Sequence, residues 1–435
     1  MLDIKFIREN QDVVAKAIKD KGTNPEALAE VLSLDDTRRR LIIETEALRS
    51  RRNEIADKFK KGKDDALVAE SKQLKDKLSK LELELKEVED RWLEAMYEIP
   101  NIPWEDVPVG AGETENKVVA EWGKPKKFAF KSKDHLALGE ALDVIDMKRA
   151  SKVAGSRFGY WKGGMAALEF ALVQFVLRIL TSEETLKKIA DSVEKGYSAK
   201  SFIPVIPPVM IKPDMYRKTA RLSEEDKNER YYLQQDDIYL IGSAEHTLVS
   251  MHADEVLDIK QLPLRYLGFS TCFRREAGSY GKDVKGMLRL HQFDKLEMES
   301  FTTAADSFKE HQFLIAVEEY ILQALEIPYQ KFLKCTADIG NPNARGVDLN
   351  SWLPGQGEYR ETHTADMMTD YQARRLNIKV RKPDGTTELV HTNDATAVAM
   401  SRIPIAVMEN YQQKDGSIAV PKVLQEFTGF KDIKK

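Results

Sequence analysis

Cysteine is nearly absent from this chain. Of 435 residues only Cys272 and Cys335 carry thiols, too few for a disulfide framework or a cysteine-rich zinc site, so a reducing, cytoplasmic setting is the natural expectation. Charge of one sign is also lacking: with a formal net charge of -4 no global basic field advertises nucleic acid, and any RNA contact has to rest on a local patch. The seven histidines are scattered, none at a spacing that favours a metal ligand. The opening MLDIKFIREN interrupts its apolar residues with Asp3, Lys5, Arg8 and Glu9, which is not the pattern of a signal peptide or membrane span. No later segment is expected to run apolar for about 18 residues. GxGxxG, GxxxxGK[ST], HExxH and internal repeats are all missing, so Rossmann, P-loop and zincin readings have no support.

What the chain does have is length enough for roughly two or three domains with a large core, and a pronounced periodicity near its start. Leu34, Leu41, Leu48 and Ile55 recur every seventh residue, followed by Phe59; Leu67, Leu74, Leu81, Val88 and Ala95 repeat the pattern, with Leu78, Leu85 and Trp92 in the companion positions. The polar stretch KKGKDD between the two series can reverse the chain, which predicts an antiparallel coiled-coil hairpin with arms on the order of 40 to 50 Å. Between Arg38 and Lys63 ten basic residues face four acidic ones. Arg49, Arg51, Arg52, Lys58 and Lys60 are the candidates for an RNA backbone, against the alternative of a solvated coiled-coil face.

Prolines crowd residues 99–110, IPNIPWEDVPVG, and mark a boundary between this arm and a body. In the body, helical segments mix with strand-like runs such as FIPVIPPVMI and RYLGFSTCFRRE without a regular alternating rhythm. That predicts an α+β fold with a mainly antiparallel sheet.

Residues 272–297, CFRREAGSYGKDVKGMLRLHQFDKLE, read as two strands joined by a loop. Alternation puts Arg274 and Glu276 on one face of the first strand and Arg289, His291, Phe293, Lys295 and Glu297 on one face of the second. The loop, with Gly278, Gly281, Gly286, Lys282 and Lys285, suits a basic flap better than a tight turn. Two arginines, an aromatic ring and two carboxylates can clamp a phosphate, sandwich a purine and hold a polar substrate. The competing reading is a hairpin whose charges alternate for solubility.

This stretch resembles motif 2 of the class II aminoacyl-tRNA synthetases, in the form used by seryl-tRNA synthetases. The whole chain resembles the bacterial type of that family through an ordered set: MLDIKFIREN, the coiled-coil arm, NIPWEDVPVG, KDHLALGEALDVIDMKRASKVAGSRFGYWKGG, motif 2, DYQARRLNIKVR and ENYQQKDGSIAVPKVL. The resemblance implies an antiparallel sheet flanked by helices with an N-terminal antiparallel coiled-coil helical hairpin. It divides the chain into a tRNA-binding domain, residues 1–103, and a class II catalytic domain, residues 104–435. Motif 1 falls near 201–211, with Pro207 and Pro208 at a homodimer interface, and motif 3 at 394–413. It also implies ATP, Mg2+, serine and tRNA(Ser) as ligands, with tRNA(Sec) by family analogy.

Carried over by position, Arg274 and Arg402 are the catalytic arginines, on the α- and γ-phosphates. ATP is expected on Arg274, Arg275, Glu276, Arg289, Leu290, Phe293, Glu361, Thr362, His363, Thr364 and Arg402. Phe293 would stack on adenine and Glu361 would hold Mg2+. Serine is expected on Ser243, Ala244, Glu245, Arg274, Glu297, Asp394 and Thr396, with Glu297 accepting from its hydroxyl. Pro404 suits a helix first turn, so Arg402 is expected at a helix start.

The chain departs from the family after Glu361, where a usual run of Ser-Ser-Cys-Ser-Asn-Cys-Thr-Asp type is replaced by His363, Thr364, Ala365, Asp366, Met367, Met368, Thr369 and Asp370, and at Asp394, where the family has Asn. Met cannot donate a hydrogen bond. A carboxylate at 394 could hold the serine ammonium or repel phosphates, and if it only holds the ammonium an Asn there should be tolerated. Besides the serine ligase, three readings compete: a paralogue with altered amino-acid choice, an RNA-binding protein without activation, and an inert coiled-coil scaffold.

Overall fold

The computed structural model describes residues 1–60, 65–276 and 286–435. The chain divides into two compact units, Met1–Ile102 and Pro103–Lys435. Most of the expected turn of the arm, residues 61–64, and the expected flap, residues 277–285 with Gly278, Gly281, Lys282 and Lys285, lie outside the described residues.

In the first unit two short helices, Ile4–Glu9 and Gln11–Asp20, precede the long helices α1 (Ala27–Phe59) and α2 (Asp65–Glu98). Their 33 and 34 residues give arms of about 50 Å at 1.5 Å per residue. The heptad leucines make the seam: Leu34, Leu41 and Ile55 are buried on α1, and Leu78, Val88 and Ala95 on α2. Ion pairs cross it at Arg38–Glu89 (3.3 Å), Arg49–Glu82 (2.8 Å) and Arg51–Glu70 (2.8 Å). The partner numbers fall as the arginine numbers rise, which is the antiparallel register. Exposed pairs of this kind contribute about 0 to 1 kcal/mol each, so they fix alignment more than stability.

The second unit is built on an eight-stranded sheet. Its elements in chain order are β1 (Lys117–Trp122), α3 (Gly163–Leu180), β2 (Ile203–Val205), β3 (Leu264–Phe273), β4 (Gln292–Thr302), α4 (Ser307–Ala324), β5 (Tyr329–Leu333), β6 (Arg345–Leu353), β7 (Glu358–Thr369), β8 (His391–Ala399) and α5 (Ile403–Tyr411). Across the sheet the strands run β1-β5-β6-β7-β8-β4-β3-β2. Every pair is antiparallel except β2 with β3, which is parallel.

Alternation along the central strands sorts the sheet into two chemistries. Leu296 and Met298 of β4, Ala365 of β7, Ala395 and Ala397 of β8, and Val347 and Leu349 of β6 join one core cluster with Leu168, Leu172 and Phe175 of α3 and Phe313, Leu314 and Ile321 of α4. The intervening residues, Lys295, Glu297 and Glu299 on β4, Asp394 and Thr396 on β8, and Thr364 and Asp366 on β7, carry the polar groups. One face of the sheet is thus core and the other is available for chemistry.

Helix α3 carries two charges, Glu169 and Arg178, which leave no unbroken apolar run of about 18 residues. By length and composition, with a mean hydropathy of 1.6 over 18 residues, it could cross a membrane, yet Met165, Leu168, Leu172, Phe175, Val176 and Ile179 are spent on the core of the body. Its one carboxylate, Glu169, is pushed up to about 7 by burial and then by the nearby Asp294. A carboxyl raised on folding keeps its proton longer in the native state, so stability falls as pH rises from about 4.5 to about 7. Glu169→Gln removes that penalty. Urea unfolding should find the variant more stable than the unaltered chain by up to roughly 2 to 3 kcal/mol at pH 8, with the gap shrinking toward pH 5. A pH-independent gap would contradict this.

Candidate active site

The polar face of β4, β7 and β8 floors a cleft lined by Arg221, Glu245, Arg274, Glu276, Leu288, Arg289, Leu290, Phe293, Lys295, Glu297, Glu361, Thr362, Thr364, Asp366, Asp394, Thr396, Ala399, Ser401 and Arg402. One group of these side chains is arginine-rich, three guanidiniums against two carboxylates. Arg274 follows β3; its Nε donates to the Gly242 carbonyl at 3.0 Å and its guanidinium carbon stands 5.4 Å from the Phe293 ring. Arg289 donates to Glu276 at 2.9 Å. Glu276 sits in the left-handed region at φ 50, a conformation that costs a non-glycine residue on the order of 1 to 3 kcal/mol and collects at working sites.

Arg402 caps the start of α5, where Pro404 lies in the first turn as the sequence predicts. Its Nη1 donates to the Glu361 carbonyl at 2.9 Å and to Glu361 Oε1 at 2.7 Å. Burial opposes ionisation of Glu361, but Arg402 and Lys334 outweigh it and bring the carboxyl down to about 2. It is an anion at neutral pH.

The second group is acidic, two cations against four carboxylates. Lys295 Nζ lies 2.5 Å from Glu297 and 3.9 Å from Glu245. Burial disfavours the Lys295 charge, and Glu297 with Glu245 outweighs that, keeping it protonated. Glu297 itself is pushed up to about 8 by burial, against the pull of Lys295. Thr396 stands directly across from Glu297 in the β4–β8 register, and both line the cleft, so a hydroxyl and a carboxyl share its floor. Arg221 donates to Asp394 at 2.8 Å.

Several expected residues do not reach the cleft. The paired strands end at Phe273 and Gln292, so alternation stops short of His291. That ring packs near Phe158 and Tyr231, and its Nδ1 meets the Arg274 carbonyl at 3.0 Å. Arg275 donates to the Arg230 carbonyl at 2.8 Å and lies over the Tyr231 ring. His363 falls between Thr362 and Thr364 on β7, and alternation buries it away from the cleft; burial lowers it to about 3, so it carries no charge for a phosphate. Ala244 packs with Leu248 and Tyr266 in an apolar cluster, and Ser243 is buried beside Glu245; of the Ser243, Ala244 and Glu245 run only Glu245 lines the cleft. Met367 and Met368 are fully buried and stand outside the cleft lining, with Met368 Sδ 4.0 Å behind Arg221 Nη2. The departure from the family pattern therefore enters the cleft through Thr364, Asp366 and Asp394.

Motif reading also left residues unassigned. Lys295 lies on the strand face that alternation predicts, and its role comes from its pairing with Glu297. Arg221 had no signal, because RLSEEDKNER reads as solvated charge. Leu288, Ala399 and Ser401 complete the lining.

Comparison with known proteins gives concordant results. Residues 1–103 match the Seryl-tRNA synthetase N-terminal domain, and residues 228–411 the tRNA synthetase class II core domain (G, H, P, S and T). The Serine--tRNA ligase of Symbiobacterium thermophilum is 40% identical over 433 residues, 98% of each chain. That of Nitrosopumilus maritimus is 38% identical over 435 residues, 99% of each. Among solved structures, seryl-tRNA synthetase from Pyrococcus horikoshii complexed with ATP superposes with a TM-score of 0.88 at 38% identity, covering 100% of this chain and 99% of that one. Cytoplasmic Serine-tRNA ligase from Naegleria fowleri in complex with AMP gives 0.85 at 28% identity, with the same coverage.

Proposed function

Because the chain belongs to the seryl-tRNA synthetase family, we propose that its cleft activates serine with ATP and passes the seryl group to tRNA(Ser). The observation that carries this reading is the union, in one cleft, of an arginine-rich group around Phe293 with an acidic group whose Glu297 and Thr396 face each other across two strands. The first suits a nucleoside triphosphate, and the second suits an ammonium with a small hydroxyl.

The serine carboxylate attacks the α-phosphorus of ATP, a phosphorus–oxygen bond forms, and pyrophosphate leaves. The nucleophile is already ionised, so no general base is required. The work is positioning and charge neutralisation, done by Arg274 and Arg402. A ribose hydroxyl of the tRNA's terminal adenosine then attacks the adenylate carbonyl, and AMP leaves. Among the described residues no cluster of three His, Cys, Asp or Glu is placed to hold a metal. Mg2+ commonly takes one or two carboxylates and completes its shell with phosphate oxygens, and the ionised Glu361 fits that role. The ion, when bound, would neutralise phosphate charge.

The remaining assignments rest on the same family. The unit Met1–Ile102 binds tRNA through Arg49, Arg51, Arg52, Lys58 and Lys60, and the unit Pro103–Lys435 is catalytic. tRNA(Sec) is a second acceptor. Two chains pair along the edge strand β2, whose continuation carries Ile206 at 86% exposure next to Pro207 and Pro208. The two free cysteines suit the cytoplasm.

The test is ATP-dependent attachment of labelled serine to tRNA(Ser); a chain that activates serine and fails to charge the tRNA would contradict the second step. Selectivity gives a sharper expectation. A site built to hydrogen-bond a hydroxyl rejects the analogue lacking it, since polar atoms are then left unpaired. Thr396→Val combined with Glu297→Gln should lower the serine-over-alanine ratio of kcat/KM by at least about tenfold while the KM for ATP changes little. Equal ratios before and after would remove these residues from serine recognition.

A further inference from the structure

Beneath the Glu297 and Thr396 pair, the strand register lines up three acids. Glu299 of β4 faces Asp394 of β8, and Asp394 faces Asp366 of β7; all three are buried. Like charges placed directly opposite destabilise a sheet, and a low-dielectric setting sharpens the repulsion. Glu299 avoids it by staying neutral: its two oxygens are buried without hydrogen-bond partners, and burial, followed by Asp394, raises it well above the usual carboxylate range. Asp394 and Asp366 meet a cation instead. Arg221, from the loop after the helix Pro213–Lys218, puts one nitrogen, Nη2, 2.8 Å from Asp394 Oδ2 and 3.5 Å from Asp366 Oδ2. All three side chains line the cleft.

We propose that Arg221 and Asp394 act as one ion-paired unit that positions the α-ammonium of the amino-acid substrate, Arg221 being a positioning residue that orients the Asp394 carboxylate at the cleft wall. The inference rests on reading the cleft as an amino-acid activation site. Burial raises Asp394 and Arg221 pulls it back, the balance standing at about 7, so without the guanidinium the acid would keep its proton further up the pH scale and lose its hold on an ammonium. Without the carboxylate the guanidinium faces that ammonium with the more distant Asp366, at 3.5 Å, as its counter-charge. Asn at 394 is therefore not the mild change that the sequence suggests, because the sequence does not reveal the cation behind it.

A double-mutant cycle on the full-length protein tests the unit, reading amino-acid-dependent exchange of pyrophosphate into ATP for Arg221→Gln, Asp394→Asn and both together. Each single change should raise the KM for serine about tenfold or more and leave the KM for ATP within about twofold, and the double change should be penalised about tenfold less than the product of the two. Arg221→Lys should restore part of the loss, since an ammonium keeps the charge without the fork. Additive penalties, an unchanged serine KM in Arg221→Gln, or an ATP KM rising in step would each overturn the proposal. If Arg221→Gln fails to fold, Asp394→Asn and the double variant decide: a double variant whose serine KM matches that of Asp394→Asn supports the unit, and one weakened about tenfold further overturns it. The unaltered protein is assayed first, and should it prefer another amino acid the cycle is read with that one, so failure of serine choice and failure of the ion-paired unit are separate results.

Discussion

Arg274→Ala lowers adenylate formation by at least about a hundredfold, the scale of removing one preorganised charge donor from a transferring group. The residue is held before any substrate arrives. Its Nε is committed to the Gly242 carbonyl at 3.0 Å, and its guanidinium stands 5.4 Å from the Phe293 ring. The fold has thus already met the entropic cost of orienting a long side chain, and truncation forfeits both the charge and the orientation. Arg402 does not compensate, because it is tied to Glu361 at 2.7 Å. Single-turnover release of pyrophosphate measures the loss, and near-normal release would contradict the role of Arg274.

Deleting residues 35–95 should abolish tRNA charging and leave most of the serine-dependent exchange of pyrophosphate into ATP. The deleted stretch lies in the unit Met1–Ile102, whereas every residue lining the cleft lies in Pro103–Lys435, which has its own core. Loss of both activities together would make the arm structural. Within the arm the five candidate cations are not equivalent. Arg49 and Arg51 are paired with Glu82 and Glu70 across the hairpin, whereas Arg52 and Lys58 are exposed and Lys60 pairs only locally with Asp57. Charge reversal at Arg52, Lys58 and Lys60 should weaken tRNA binding and flatten its dependence on salt without disturbing the seam, each lost phosphate contact lowering the salt slope by about 0.7 to 0.9.

The parts of this molecule that were legible are those written in short periods. The heptad leucines gave the hairpin because a seven-residue repeat can bury only one stripe of a helix. Alternation placed Phe293, Lys295 and Glu297 on one face for as long as β4 remained paired. Pro404 marked the start of α5 because its missing N–H is harmless there. Where the strand pairing ended, the same rule misplaced His291.

Motif blocks run across strand faces. Thr362, His363 and Thr364 form one motif block, yet neighbours on a strand face opposite sides, and of Ser243, Ala244 and Glu245 only the last lines the cleft. Arg221 was beyond reach for a third reason: its partners Asp366 and Asp394 lie 145 and 173 residues away. Nothing in a local pattern states which strands will be neighbours. The acid row of Glu299, Asp394 and Asp366 exists only once β4, β8 and β7 are adjacent in that register.

The measurement closest to the central claim is exchange of pyrophosphate into ATP by the full-length protein, driven in turn by each of the twenty amino acids. Serine should support exchange with a kcat/KM above that of every other amino acid, alanine, threonine and cysteine included. Preferential activation of a different amino acid, or exchange with none, would contradict the account.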